Sequence, residues 1–156
     1  DALRRTLLRG AGAGGAIAAA LAAGVLKPSQ VLAAEWNRAA FDAKDVAGAL
    51  KGLGATGAAD NAGVVIKAPD IAENGAVVPV GASTTAAGAT RLLLLVEKNP
   101  NALAAVFELT DAIEPNISTR VKMAQTSNVY AVAMMSDGRV LYASKEIKVT
   151  LGGCGG

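Results

Sequence analysis

Histidine is absent from this 156-residue chain, and cysteine occurs once. The first absence removes Ser-His-Asp and Cys-His nucleophilic catalysis, together with every metal motif that carries a histidine. The second excludes an intrachain disulfide and a cysteine-based zinc site. Aromatic residues are scarce: Trp36, Phe41, Phe107, Tyr130 and Tyr142. Hydrophobic residues make up 52% of the chain, but many are alanine, so a core must be built from Val, Leu, Ile and Ala. The length suits one domain around a single core. The formal charge of +2 is misleading, because Arg4, Arg5, Arg9 and Lys27 all fall in the first 30 residues. A cut near residue 34 removes these bases and Asp1, leaving 11 basic and 12 acidic residues. No basic patch then argues for nucleic acid.

The first 34 residues read as an export signal. Arg4 and Arg5 precede Thr6-Leu7-Leu8-Arg9, a weakly apolar Gly/Ala run follows from Gly10 to Leu26, and small residues surround Ala33 and Ala34. These are the charged, apolar and cleavage regions in order. The paired arginines resemble a twin-arginine signal, which exports folded proteins in bacteria to the periplasm. The apolar run is at the short end of the ~17–25 residues that span a bilayer and is weakly hydrophobic, which favours a cleaved signal over an anchor. No lipobox cysteine accompanies it, which argues against lipid anchoring. The expected domains are therefore residues 1–34 (cleaved signal), 35–151 (folded domain) and 152–156 (a flexible tail).

Within the folded domain, Trp36, Ala39, Ala43, Val46, Leu50 and Leu53 recur at helical spacing, so a helix is expected over 35–53, with Gly54 as its C-cap. The period then changes to two. Strands are expected at 63–67, 76–80, 90–97, 104–109, 119–123, 129–135, 139–142 and along the alternating segment that ends at Leu151, whose side chain should anchor in the core. Asp137-Gly138 marks a tight hairpin, and Asn74-Gly75 and Lys98-Asn99-Pro100-Asn101 mark turns. Pro79 should lie on an edge or at a bulge, and Gly81 to Ala89 reads as a loop. Seven or eight short strands at ~8–12-residue spacing, after one helix, indicate a mainly β protein: an antiparallel β-sandwich preceded by an N-terminal helix.

The chemistry is concentrated in the last five residues, Gly152-Gly153-Cys154-Gly155-Gly156. Glycine has the widest conformational range, so order should stop at Gly152 and the rest should form a mobile, thin arm. No Lys, Arg or helix start adjoins Cys154 to make it a reactive thiolate, and a tail supplies no pocket to orient a substrate. Cys154 therefore reads as a covalent handle for other proteins' active sites, with Gly152, Gly153, Gly155 and Gly156 as its flexible arm. An exported adaptor that uses Cys154 for an intermolecular disulfide is the alternative. A diglycine end is shared with ubiquitin-like sulfur carriers, but those work in the cytosol, against the export signal.

The stretches IKAPDIAENGAVVPV (66–80), LLVEKNPN (94–101), STRVKMAQTSNVYAV (118–132) and YASKEIKVTLGGCGG (142–156) resemble SoxY, the sulfur-carrying subunit of the bacterial periplasmic thiosulfate-oxidising (Sox) system. The AEWNRAAF segment (34–41) and the twin-arginine leader agree with that resemblance. It implies an immunoglobulin-like sandwich without its own haem or metal. It also implies a heterodimer with a second small β-sandwich subunit, SoxZ, and Cys154 as the covalent sulfur carrier. The implied enzymes are partners: a c-type cytochrome complex (SoxAX) that joins thiosulfate to the thiol, a dimanganese hydrolase (SoxB) that releases sulfate, and in some organisms a molybdenum–haem sulfane dehydrogenase (SoxCD). The carrier itself is expected not to be an enzyme and to have no membrane span after processing.

Overall fold

The computed structural model describes residues 37–153. The expected signal at 1–34, Trp36, and Cys154, Gly155 and Gly156 lie outside the described residues.

The single helix expected over 35–53 is two short ones, α1 (Arg38–Phe41) and α2 (Val46–Gly52). The break is chemical. Asp45 adopts an extended conformation and its carboxylate accepts the Gly48 N–H at 2.6 Å, starting a new helix. Asn37 caps α1 in the same way through the Ala40 N–H at 3.1 Å. Gly54 ends α2 as expected. Its φ of +74° lets the Gly54 N–H reach Lys51 O and the Ala55 N–H reach Leu50 O, a Schellman motif.

Nine strands follow among the described residues: β1 (Ala59–Asp60), β2 (Val64–Lys67), β3 (Ile71–Asn74), β4 (Val78–Thr84), β5 (Ala89–Val96), β6 (Leu103–Glu108), β7 (Asn116–Val121), β8 (Ser127–Met135) and β9 (Val140–Leu151). The larger sheet runs β1-β9-β8-β5-β6 and the smaller β2-β4-β7. The β8–β9 hairpin turns at Asp137-Gly138, with Gly138 at φ +88°. The pattern is antiparallel except along the outer edge of β9. There β1 pairs with Leu141 and Tyr142, and β3 pairs with 148–151, both in parallel. These two additions are short and lack any alternation by which to recognise them.

Two apolar layers sandwich the large sheet. Leu92, Leu94 and Val96 of β5 face the small sheet with Val129, Ala131, Val78, Val80 and Ile147, all inaccessible to solvent or nearly so. Leu93 and Leu95 point the other way, against Val132, Leu103, Ala40 and Ala49. Burial on both faces is why the Leu92–Val96 run is continuously apolar instead of alternating. The helices thus form a third layer over the outer face of the large sheet.

Two strand expectations change, at Gly81 to Thr84 and at Leu151, while Pro79 lies on a local edge as expected. Gly81 to Thr84 are not loop but the second half of β4, paired with β2 on one side and β7 on the other. Small residues suit that position, where a Cβ on Gly81 would lie 3.1 Å from Ile117 O. Pro79 stands opposite Arg120 of β7, but β2 extends only to Gly81, so the proline occupies a stretch where β4 is locally an edge. Leu151 is 68% exposed, so the last core anchor of β9 on that face is Val149 and not Leu151. No helix among the described residues is long and apolar enough to cross a membrane.

Candidate functional site at the base of the C-terminal arm

The end of β9 arrives beside two segments distant in sequence, the 74–76 turn and residues 122–124 after β7. The Val149 N–H donates to Thr126 Oγ1 at 2.9 Å, and the Gly75 N–H donates to Leu151 O at 2.7 Å, continuing the β3–β9 pairing past the strand. The Met123 N–H donates to Gly75 O at 2.7 Å, and the Gly153 N–H donates to Met123 O at 2.9 Å. Gly75, Met123 and Gly153 are thereby joined backbone to backbone in one junction.

The junction has no room for side chains. A Cβ on Gly152 would collide with Ala124 O, and one on Gly75 would collide with Met123 O and stand 2.7 Å from the Gly153 nitrogen. A Cβ on Gly153 would stand 2.7 Å from Gly75 O and 2.9 Å from the Ala76 nitrogen. Gly153 is buried. The expected end of order at Gly152 thus moves by two residues, because neighbouring backbone, not a side chain, holds this part of the tail. Cys154 follows directly in sequence.

Residues 122–124 are held from the other edge by Asn99. Its Nδ2 donates to Lys122 O at 2.7 Å and its Oδ1 accepts from the Ala124 N–H at 3.0 Å. The Asn99 side chain is buried, and the Met123 side chain is sealed in the inter-sheet core. In sequence, Asn99 reads only as part of a turn. Nothing local signals that its amide reaches a segment 23 to 25 residues later.

The other features singled out in the sequence are structural. Met135 is buried in the inter-sheet core and Met134 packs on the helix side. Asn116, Ile117 and Ser118 pair with β4. Among the described residues no group of His, Cys, Asp and Glu is placed to hold a metal. A hollow of about 350 Å³ between the free edges of β6 and β7 adjoins the 122–124 segment, lined by Asn99 and Lys122 together with Asn101, Thr119 and Arg120. Away from it, one of about 360 Å³ lies beside the Asp137-Gly138 turn, and one of about 240 Å³ is apolar and bounded by Val46, Leu50, Val132, Tyr130 and Tyr142. There the phenol of Tyr130 is pushed to higher pKa by burial, helped by the Glu97 carboxylate and by Tyr142, whose ring centroid is 5.9 Å away.

Comparison with known proteins supplies the context. The family model of the sulfur oxidation protein SoxY matches residues 50–154, a span that includes Gly75, Asn99, Gly152, Gly153 and Cys154. The structure of the sulfur carrier protein SoxY from Chlorobium limicola f thiosulfatophilum aligns with a TM-score of 0.59 at 34% identity, over 65% of this chain and 92% of that one. A single-substitution variant of superoxide reductase (neelaredoxin) from Ignicoccus hospitalis aligns with a TM-score of 0.50 at 20% identity, over 55% of this chain and 78% of that one, a likeness of fold alone. No curated protein matches the chain.

Proposed function

The chain belongs to the SoxY family of sulfur oxidation proteins, an immunoglobulin-like β-sandwich fold, and from that premise we propose that it is a sulfur carrier which holds thiosulfate-derived intermediates covalently on Cys154. One observation carries the reading: the family match runs through the only thiol of the chain, which follows directly on the glycine junction at the end of β9.

The chemistry this requires is simple on the carrier's side. The Cys154 thiolate and thiosulfate join through a new S–S bond to give protein–S–S–SO3⁻, and two electrons leave to a c-type cytochrome partner. Water then cleaves the terminal S–S bond at a hydrolase partner, releasing sulfate and leaving a persulfide on Cys154. The carrier provides reach and access, while the cationic and metal groups that activate each bond belong to the partners. Gly155 and Gly156 keep the sulfur unobstructed on its far side, since a chain without side chains enters a narrow channel. The partners are a SoxZ-like sandwich subunit, the cytochrome complex, the dimanganese hydrolase and, where present, the sulfane dehydrogenase. The site of action is the periplasm, reached through the twin-arginine signal at residues 1–34.

Intact-mass measurement on the protein from thiosulfate-grown cells tests the proposal. Adducts of sulfur, thiosulfonate or sulfonate mass are expected on Cys154, and Cys154→Ser is expected to abolish thiosulfate oxidation while leaving the fold intact. Purified alone, the chain should turn over neither thiosulfate nor peroxide. Recovery of only a disulfide-linked dimer, with Cys154→Ser still supporting oxidation, would instead make it an adaptor.

A further inference from the structure

We infer that Gly75, Gly152 and Gly153 form a backbone clasp that sets the pivot of the carrier arm directly before Cys154, and that Asn99 is the positioning residue of this clasp. The inference deepens the carrier reading and rests on it for its consequence, but the clasp itself stands on geometry.

Glycine is used in proteins for two different reasons: to reach conformations closed to other residues, or to let backbones approach closely. None of Gly75, Gly152 and Gly153 has a left-handed φ; the glycines that do, among the described residues, are Gly54, Gly57, Gly88 and Gly138. At Gly54, Gly57 and Gly138 nothing lies near where a Cβ would be, and at Gly88 only the Ser136 side chain does. At Gly75, Gly152 and Gly153 the nearest atoms are backbone oxygens and nitrogens that no rotamer change can move away. These three glycines therefore serve proximity, and two of them are the residues that the sequence alone would assign to flexibility.

The wall of the clasp is rigid. Met123 anchors it in the core by its side chain, and the two hydrogen bonds of Asn99 hold the flanking peptide groups of Lys122 and Ala124. Among the described residues of the arm, the Gly153 N–H is what holds it against this wall. One hydrogen bond of ordinary net strength favours the docked over the open arm by roughly tenfold. That is enough to define a resting exit direction for Cys154. It is also weak enough for a partner enzyme to open, lengthening the reach of the thiol by the two residues released.

A nitroxide attached to Cys154, the single thiol of the chain, reads the pivot directly by its spectral line shape. The full chain is expected to show a slow component that Gly153→Ala and Gly152→Ala convert to fast motion. Asn99→Ala should shift the line shape the same way, and Gly155→Ala, beyond the clasp, should keep the slow component. Without any substitution, the Gly153 amide should exchange with solvent roughly tenfold more slowly than in a free peptide. A Gly153 amide that exchanges at the free-peptide rate, or a label equally mobile with Gly and Ala at 153, overturns the clasp. Both readouts are independent of sulfur chemistry. A clasp intact in a protein whose Cys154 never carries sulfur would remove the carrier reading alone. A Cys154 that carries sulfur without any protection at Gly153 would remove the clasp alone.

Discussion

β5 and the base of the arm are both ordered parts of one sandwich, but they are held by opposite means. In β5 every residue from Leu92 to Val96 is fully buried, and the strand is fixed by side chains packed on both faces. At the arm base there are no side chains to pack, and position comes from backbone hydrogen bonds and close approach. Side-chain packing gives strongly favoured order, because extracting a leucine from the core exposes it to water. Backbone docking of a glycine segment gives accurate but shallow order. A domain that is stable and, on the proposed function, hands Cys154 to other proteins needs one of each.

Substitutions sharpen this contrast. Leu94→Ala should have the largest effect on stability, a loss of about 2–5 kcal/mol in chemical denaturation, with sulfur loading per folded molecule unchanged. Asn99→Ala strands two backbone groups of the clasp wall and should cost about 1–3 kcal/mol, with a slower loading rate besides. Gly54→Ala meets no neighbouring atom, but the left-handed φ of +74° should cost about 1–2 kcal/mol. Gly153→Ala meets backbone at 2.7 Å, yet should cost no more than the ~1 kcal/mol of the one hydrogen bond it breaks, because the arm can leave. The reverse order for the last two, measured as denaturation midpoints, would mean that the arm base is part of the cooperative fold and not a detachable clasp.

The smallest effect is electrostatic. The Lys145 ammonium, 2.9 Å from the Asp70 carboxylate, holds that carboxyl below its ordinary pKa by a hydrogen bond and by its charge. A depressed carboxyl contributes stability above its unfolded value near ~3.9, and that contribution disappears as pH falls through the lower folded value. Asp70 is exposed, so solvent weakens the pair. Asp70→Asn should therefore leave stability near pH 7 almost unchanged and slightly flatten its decline below pH ~4, measured against the unsubstituted chain.

Much of the architecture is legible locally. Alternation at 146–150, the continuous apolar runs of β5 and β8, the Asp137-Gly138 turn and the Gly54 cap each report a short-range physical requirement that a few neighbouring residues satisfy. Helix periodicity over 35–53 is equally visible, but the break between α1 and α2 is not. It depends on whether Asp45 caps a new turn or stays within a continuous one. β1 and β3 are invisible for a related reason, since each is a strand only because the outer edge of β9 offers it backbone partners. Residues 81–84 look like a loop because small residues are common in loops. In the fold they are small because strands close in from both sides.

The same limit applies to the tail. The sequence by itself determined that one thiol stands among glycines after the last strand, with no histidine anywhere to build a conventional site around it. Those are matters of composition and order, and no fold can alter them. Only the tertiary structure decided what Gly152 and Gly153 are for, because the reason lies in Gly75 and Met123, which meet the arm, and in Asn99, which holds the segment around Met123, and these come together only after the sheets have stacked. Glycine looks the same in a sequence whether it is chosen for freedom or for closeness, and only a neighbour's position separates the two.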